Sequence, residues 1–214
     1  MLHIQRFVVN MIQENCYLLY DERKCAMIVD CGAYFPEERK AICDFIKNEE
    51  LTLTQMCNTH GHFDHLFGAH FICETYGVEL QIAQTEESTF ATANGQAATF
   101  FGQNIPVESC PVGRWLHDGD DITVGQTHWK AIATPGHTPG GLCFYCEKEK
   151  VLLSGDSLFR HEIGRCDLPG GSETQLVTAL KDRILALPDD VVVLPGHGPQ
   201  TTVGEERAHN PYLQ

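Results

Sequence analysis

Four segments of this chain repeat one local design: an apolar, strand-like run, then a histidine or aspartate, then a turn built around glycine. The first is "LTQMCNTHGHFDH", which runs directly into His60, His62, Asp64 and His65. The others are "AIATPGHTPGG" with His137, "KVLLSGDSLF" with Asp156 and "VVVLPGHGPQ" with His197. Residues at the ends of several strands can converge on one rim of a sheet, and sites are built preferentially on loops that such a scaffold positions. The chain must therefore fold so that these strand ends meet.

Taken singly, a histidine after a strand is ordinarily a surface residue, and an aspartate before a turn is ordinarily a cap. Recurrence at four strand ends argues for a site instead. The spacing in "HGHFDH" is not that of a helical zinc motif, because residues two apart do not share a helix face. It suits a loop leaving a strand, with the next helix beginning near Asp64, where a carboxylate is favoured by the helix dipole. Five imidazoles and two carboxylates suit zinc, and tolerate iron or manganese. Seven ligands are too many for one tetrahedral zinc and favour two metals about 3.5–4 Å apart. His70 lies five positions past His65, turned roughly 140° away on a helix, and is left out. His3, His117, His128, His161 and His209 lack a ligand context, with His161 a candidate to border the cleft.

The rest of the chain supplies layers for such a site. "HIQRFVV", "CYLLYD" and "CAMIVDCG" read as strands, and Pro36 opens an amphipathic helix, "PEERKAICDFIKN". "DHLFGAHFICETYG" reads as a helix ending at Gly77, followed by a strand "VELQIA". Residues 85–118 are the least decipherable; "TEESTFATANGQAATFFG" reads as helical, broken at Gly95 or Gly102. Strands resume at "DITVG", "HWKAIAT", "GLCFYCE" and "KVLLSGD". Ser172 and Gln175 form a capping box for the helix "ETQLVTALKDRILAL". Two strand-rich halves, each with helices, imply an α/β or α+β layered sandwich in one domain spanning residues 1–214.

Composition excludes several classes. With 43% apolar and 21% charged residues, the chain is an ordinary globular one, and no apolar run approaches the roughly 18 residues that cross a bilayer. A formal charge of -14 leaves no basic stripe for nucleic acid. The N-terminus "MLHIQRFVVN" does not read as a signal peptide. The ten cysteines are scattered, several within apolar runs, so reduced thiols in a cytoplasmic protein are expected. Cys143 and Cys146 form a nominal C-x-x-C, but three residues apart on a strand they point to opposite faces.

"THGHFDH", "GHT", "SGD" and "PGHG", in this order, resemble the metallo-β-lactamase fold superfamily, and the resemblance runs from the strands before residue 30 to the C-terminus. It implies a four-layer αββα sandwich with metals at one edge. It further implies His60, His62 and His137 on one metal, Asp64, His65 and His197 on a second, and Asp156 bridging both. Asp30, in "IVDCG", matches a family aspartate that supports the site without ligating; Cys31 after it is a small departure.

Within that superfamily, "GDSLFRHEIGRCDLPGGSETQL" and the tail "PGHGPQTTVGEERAHNPYL" resemble a short, single-domain branch similar to glyoxalase II, the hydroxyacylglutathione hydrolases. The resemblance implies hydrolysis of a small thioester by a hydroxide shared between two divalent metals, zinc foremost, and oriented by Asp64. No C-terminal helical glutathione-binding domain is expected. Where the longer enzymes hold glutathione with a lysine and a tyrosine, this chain has Arg165 and Asp167. Arg165 can pair with a substrate carboxylate or form a structural salt bridge. The "GRCD" pattern is also similar to persulfide dioxygenases of the fold, whose single iron would sit on His60, His137 and Asp156. A non-catalytic metal-binding protein is the reading outside enzymology.

Overall fold

A computed structural model describes residues Met1 to Gln214. Its first sheet contains β1 (Leu2–Val9), β2 (Glu14–Asp21), β3 (Cys25–Val29), β4 (Thr52–Cys57), β5 (Leu80–Ala83) and β6 (Val112–Leu116), side by side in that order. β1–β3 pair antiparallel, and β3–β6 pair parallel. The parallel steps need crossovers. These are α1 (Pro36–Asn48) and α2 (Ala69–Tyr76), then α3 (Glu87–Ala91) with α4 (Ala93–Phe101).

The second sheet begins with β7 (Asp121–Val124), β8 (Thr127–Ala133), β9 (Leu142–Cys146) and β10 (Val151–Gly155). A small hairpin follows, β11 (Leu158–Phe159) with β12 (Glu162–Ile163), and then α5 (Glu173–Ala179). β13 (Val192–Pro195) and β14 (Thr201–Thr202) complete the sheet in the order β14-β13-β10-β9-β8-β7, and α6 (Val203–His209) closes the chain.

Strand side chains alternate between faces, and here both faces are covered. Leu18 and Ile28 belong to a core under α1, α2 and α4; their neighbours Leu19 and Met27 belong to a core between the sheets. In the second sheet, Phe144 and Trp129 join the inter-sheet core, while Ile132 and Cys143 pack with Leu176, Leu180 and Val203 under α5 and α6. The result is four layers, α, β, β and α. Burial on two faces explains why "CYLLY" and "LCFYC" read as continuous apolar runs rather than alternating ones. Cys143 and Cys146 fall in different cores, as a three-residue spacing on a strand requires, and all ten cysteines are free thiols.

Helix ends follow the sequence where the signals are local. Pro36 stands at the start of α1, Gly77 caps α2 in the left-handed region at φ 68°, and the Ser172 side chain accepts from Gln175 N–H at the start of α5. Gly102, at φ 65°, ends α4, whereas Gly95 lies inside it. Some expected helices are interrupted: the segment after residue 85 breaks at Thr92, the helix from Glu173 gives way to a π-helical turn at Leu180–Ile184, and no single helix runs from Asp64 to Gly77. Residues Phe63–His65 form one tight 3-10 turn, and α2 starts only at Ala69. Gly68 N–H donates to Cys31 carbonyl at 2.8 Å, and a Cβ at Gly68 would come within 2.7 Å of Cys31 Sγ. The backbone is pulled against the end of β3 there, which interrupts the helix and frees Asp64 and His65 to turn inward. The β6 strand, the β11–β12 hairpin and α6 carry no clear sequence signal. No helix is long and apolar enough to cross a membrane.

Candidate metal centre and active site

Strand direction builds the site. β3 and β4 are parallel. β8 is antiparallel to β9, β9 to β10, and β10 is parallel to β13, so β8, β10 and β13 all point the same way. Their C-terminal ends open on one rim, with Asp30 after β3, the His60–His65 loop after β4, His137 after β8, Asp156 after β10 and His197 after β13. The two sheets are joined at this rim. Leu142 N–H donates to Thr59 carbonyl at 2.8 Å, and Gly155, at φ 49°, lies so close to Thr59 that a Cβ there would collide with its side chain.

All seven expected residues come together. Donor atoms of His60, His62 and His137 lie within 4.8 Å of one another, and so do those of Asp64, His65 and His197. Asp156 stands between the triads. Its Oδ1 is 3.4 Å from His65 Nε2, and its Oδ2 is 3.6 Å from His137 Nε2 and 3.7 Å from His197 Nε2. Asp64 Oδ2 is 3.1 Å from His197 Nε2 and 3.5 Å from His65 Nε2.

The donor set fits metal ions on its own geometry. His60 Nε2, His65 Nε2, His137 Nε2 and Asp156 Oδ1 are buried without a hydrogen-bond partner, which is costly unless something else satisfies them. The opposite ring nitrogens are anchored. His137 Nδ1–H donates to the Arg165 carbonyl at 2.8 Å, leaving a lone pair on Nε2. Thr59 Oγ1–H donates to Asp30 Oδ2 at 2.7 Å, so it accepts from His60 Nδ1 at 3.0 Å, and His60 is oriented the same way. His65 Nδ1 stands 3.2 Å from Asp30 Oδ2. Asp30 thus reaches one imidazole of each triad, one directly and one through Thr59, whose N–H it also accepts at 2.7 Å.

Charge follows the same plan. Burial, with His65 and His62 nearby, pushes His60 well below the usual imidazole range, and burial with His137 lowers His62 to about 4. Burial also works against ionised Asp156 and Asp64, yet His65 outweighs it and holds both carboxyls below the usual range. Burial disfavours charged His65 and His197, but Asp64 and Asp156 overcome it and raise both. The carboxylates thus favour positive charge at this place, which a divalent cation would supply.

The other candidate residues lie outside the cluster or meet it only through the backbone. The Arg165 guanidinium is engaged by its own neighbour, with Nε and Nη2 donating to Asp167 Oδ1 and Oδ2 at 2.7 and 2.8 Å. That pairing holds exposed Asp167 at about 2, and Arg165 meets the site through its backbone carbonyl. His70 Nδ1 bonds the Ser109 carbonyl, outside the cluster. His161 bonds Glu205 on α6, beside His209. Sequence reasoning missed Glu14, Asn58 and Glu86. Glu14 is fully buried with Oε2 accepting from Gly32 N–H at 3.2 Å; burial raises its carboxyl well above the usual range. Asn58 Nδ2 donates to the His65 carbonyl at 2.8 Å. A charged residue opening the apolar strand "ENCYLLY" was the one available hint for Glu14. Nothing in "QTEEST" separates buried Glu86 from exposed Glu87.

Comparison with known proteins agrees with this architecture. The metallo-β-lactamase superfamily matches residues 9–197, and the chain belongs to that superfamily. Membership implies a metal-dependent hydrolase that uses divalent cations. Hydroxyacylglutathione hydrolase GloC of Haemophilus influenzae is 31% identical over 214 residues, covering 99% of this chain and 98% of that protein. The crystal structure of BLEG-1 B3 metallo-β-lactamase superimposes with a TM-score of 0.90 at 34% identity, covering 99% of each chain. TTHA1623, solved in a di-iron-bound form, superimposes with a TM-score of 0.86 at 32% identity, over 98% of this chain and 100% of that one.

Proposed function

We propose that this chain is a two-metal hydrolase of small thioesters, of the hydroxyacylglutathione type. His60, His62 and His137 would hold one divalent metal, and Asp64, His65 and His197 a second. Asp156 would be shared between them. The observation that carries the reading is the position of Asp156, whose two oxygens face imidazoles of both triads. Zinc suits the nitrogen-rich set, and the di-iron form of TTHA1623 makes iron an alternative occupant.

When bound, the metals supply water activation near neutral pH and charge stabilisation for the thioester carbonyl. Asp64 would orient the attacking water, and the proton that water gives up would pass to the departing thiolate. Water adds to the carbonyl carbon, the carbon–sulfur bond breaks, and a carboxylic acid and a thiol leave. Phe63, between His62 and Asp64 in sequence, packs with Phe100 and Phe101 of α4 at ring distances of 5.5 and 5.8 Å. Beside the His60–His65 loop, this aromatic face would offer an apolar wall to a substrate. Arg165, released from Asp167, would pair with a substrate carboxylate. Likeness to GloC over 99% of the chain supports the thioester among the substrates such a centre can open.

Metal analysis combined with three assays tests the proposal. About two metals per chain and release of thiol from a hydroxyacyl thioester are expected. A single iron with oxygen uptake on glutathione persulfide would overturn it in favour of a dioxygenase. Hydrolysis of a β-lactam faster than any thioester would move the substrate assignment toward the β-lactamase class of BLEG-1.

A further inference from the structure

The two triads share Asp30 but are otherwise braced by different groups, and a brace of the first is a residue that none of the strand-end motifs contains. Glu86 lies in the turn Gln84–Glu86 that leads into α3, and its side chain is completely buried. Oε2 accepts from Gly61 N–H at 2.8 Å, and Oε1 accepts from Gly140 N–H at 2.6 Å. Gly61 sits between His60 and His62, and Gly140 follows His137 by three residues. One carboxylate therefore ties together the two loops that present the three-histidine set.

The second triad is held by different groups. Asn10 Nδ2 donates to the carbonyls of Asp64 and Gly32 at 2.9 and 3.0 Å. Asn58 Nδ2 fixes the His65 carbonyl, and Asn15 Nδ2 reaches the carbonyls of Pro195 and Gly198, on either side of His197, at 2.9 and 3.0 Å. These braces come from β1–β4 and the turns that leave them. Glu86 comes instead from the segment between β5 and β6.

We infer that Glu86 is a positioning residue that sets metal affinity at the His60–His62–His137 site independently of the Asp64–His65–His197 site. The inference rests on the two-metal reading above. Both partners of Glu86 are backbone N–H donors, so both of its oxygens must accept. A carboxylate does this; a glutamine offers one acceptor and an amide that confronts the other donor. Glu86→Gln therefore frees one of the two loops and leaves a buried N–H unpaired, which the fold resolves by moving that loop. His60 and His62, or His137, then lose their fixed approach. Groups that orient ligands from outside the coordination sphere typically change metal affinity about 10–100-fold. The segment at 85–91, whose sequence carries no site motif, becomes part of the metal-site scaffold.

The test compares wild type and Glu86→Gln as holoproteins loaded with zinc or cobalt(II). Chelator competition gives the two zinc affinities, and visible cobalt spectra distinguish the site with three histidines from the Asp64–His65–His197 site, which has two histidines and one more carboxylate. A loss of about 10–100-fold at the three-histidine site, with the other site within about twofold and an unchanged circular dichroism spectrum, supports the inference. Unchanged affinity at both sites, or equal loss at both, overturns it. Glu86→Asp keeps both acceptors but lacks one methylene, and provides the same comparison if Glu86→Gln does not fold. Wild-type protein that binds one metal contradicts the two-metal reading, while the effect of Glu86→Gln at the three-histidine site still decides the role of Glu86.

Discussion

Replacing Asp30 by asparagine should reverse the proton polarity of the site. Asp30 accepts from Thr59 N–H and from Thr59 Oγ1–H, each at 2.7 Å, and stands 3.2 Å from His65 Nδ1. Its backbone has φ 53°, a conformation that asparagine tolerates nearly as well as aspartate, so Asp30→Asn adds little strain. The amide nitrogen at the former Oδ2 position donates to Thr59 Oγ1, whose hydroxyl then donates to His60 Nδ1. It likewise donates toward His65 Nδ1. Both imidazoles are driven to carry hydrogen on Nε2, the atom that faces the site. Two bonds to a charged acceptor, each contributing about 1.5–3 kcal/mol, become neutral ones of about 0.5–1.5 kcal/mol, so stability should fall by roughly 2–3 kcal/mol. Metal affinity should fall about 10–100-fold at both triads, because Asp30 reaches one histidine of each. Urea unfolding of the chelator-treated protein reads the first effect as a lower midpoint at constant m. Chelator competition reads the second. Affinities within about twofold of wild type, or a loss confined to one triad, would refute the reasoning.

Asp156→Ala should abolish tight metal binding and turnover together, since it removes the oxygens shared by the triads; full activity with two bound metals would contradict the shared position. Arg165→Ala should raise KM for a thioester with a carboxylate while leaving kcat unchanged. An unchanged KM assigns Arg165 to its Asp167 pair alone, and stability should move by less than about 1 kcal/mol because that pair is exposed. Asp118 offers a pH signature. Partial burial opposes its charge, yet the Arg183 guanidinium at 2.8 Å and the Ala133 N–H hold its carboxyl below the usual range. A carboxyl lowered by folding contributes stability that is present above its unfolded value and is lost as pH falls through the folded one. The gap in melting temperature between wild type and Asp118→Asn should therefore be wide near neutral pH and narrow in acid; a constant gap across that window would exclude the linkage.

Local signals were legible wherever neighbours in sequence are neighbours in space. Pro36 at the start of α1, the left-handed caps at Gly77 and Gly102 and the Ser172 cap depend on a few adjacent residues. The seven candidate ligands were legible for the same reason, because they cluster behind four apolar strands, each followed by a glycine-containing turn. The continuous helix expected after Asp64 was not to be had, since the residue that breaks it, Gly68, does so by packing on Cys31 and Ala33 from another part of the chain.

Sequence alone thus determined which residues could serve a metal centre and that they lie at strand ends. Tertiary structure decided how they are grouped, and what holds each group. The parallel course of β8, β10 and β13 delivers three ends to one rim, and contacts across 54 and 29 residues put Glu86 on Gly140 and Asp30 on Thr59. Those bonds depend on burial and direction, quantities that a carboxylate acquires only when the layers close around it. In the sequence Glu86 and Glu87 are alike; in the fold one is dry and doubly bonded, and the other is exposed to solvent.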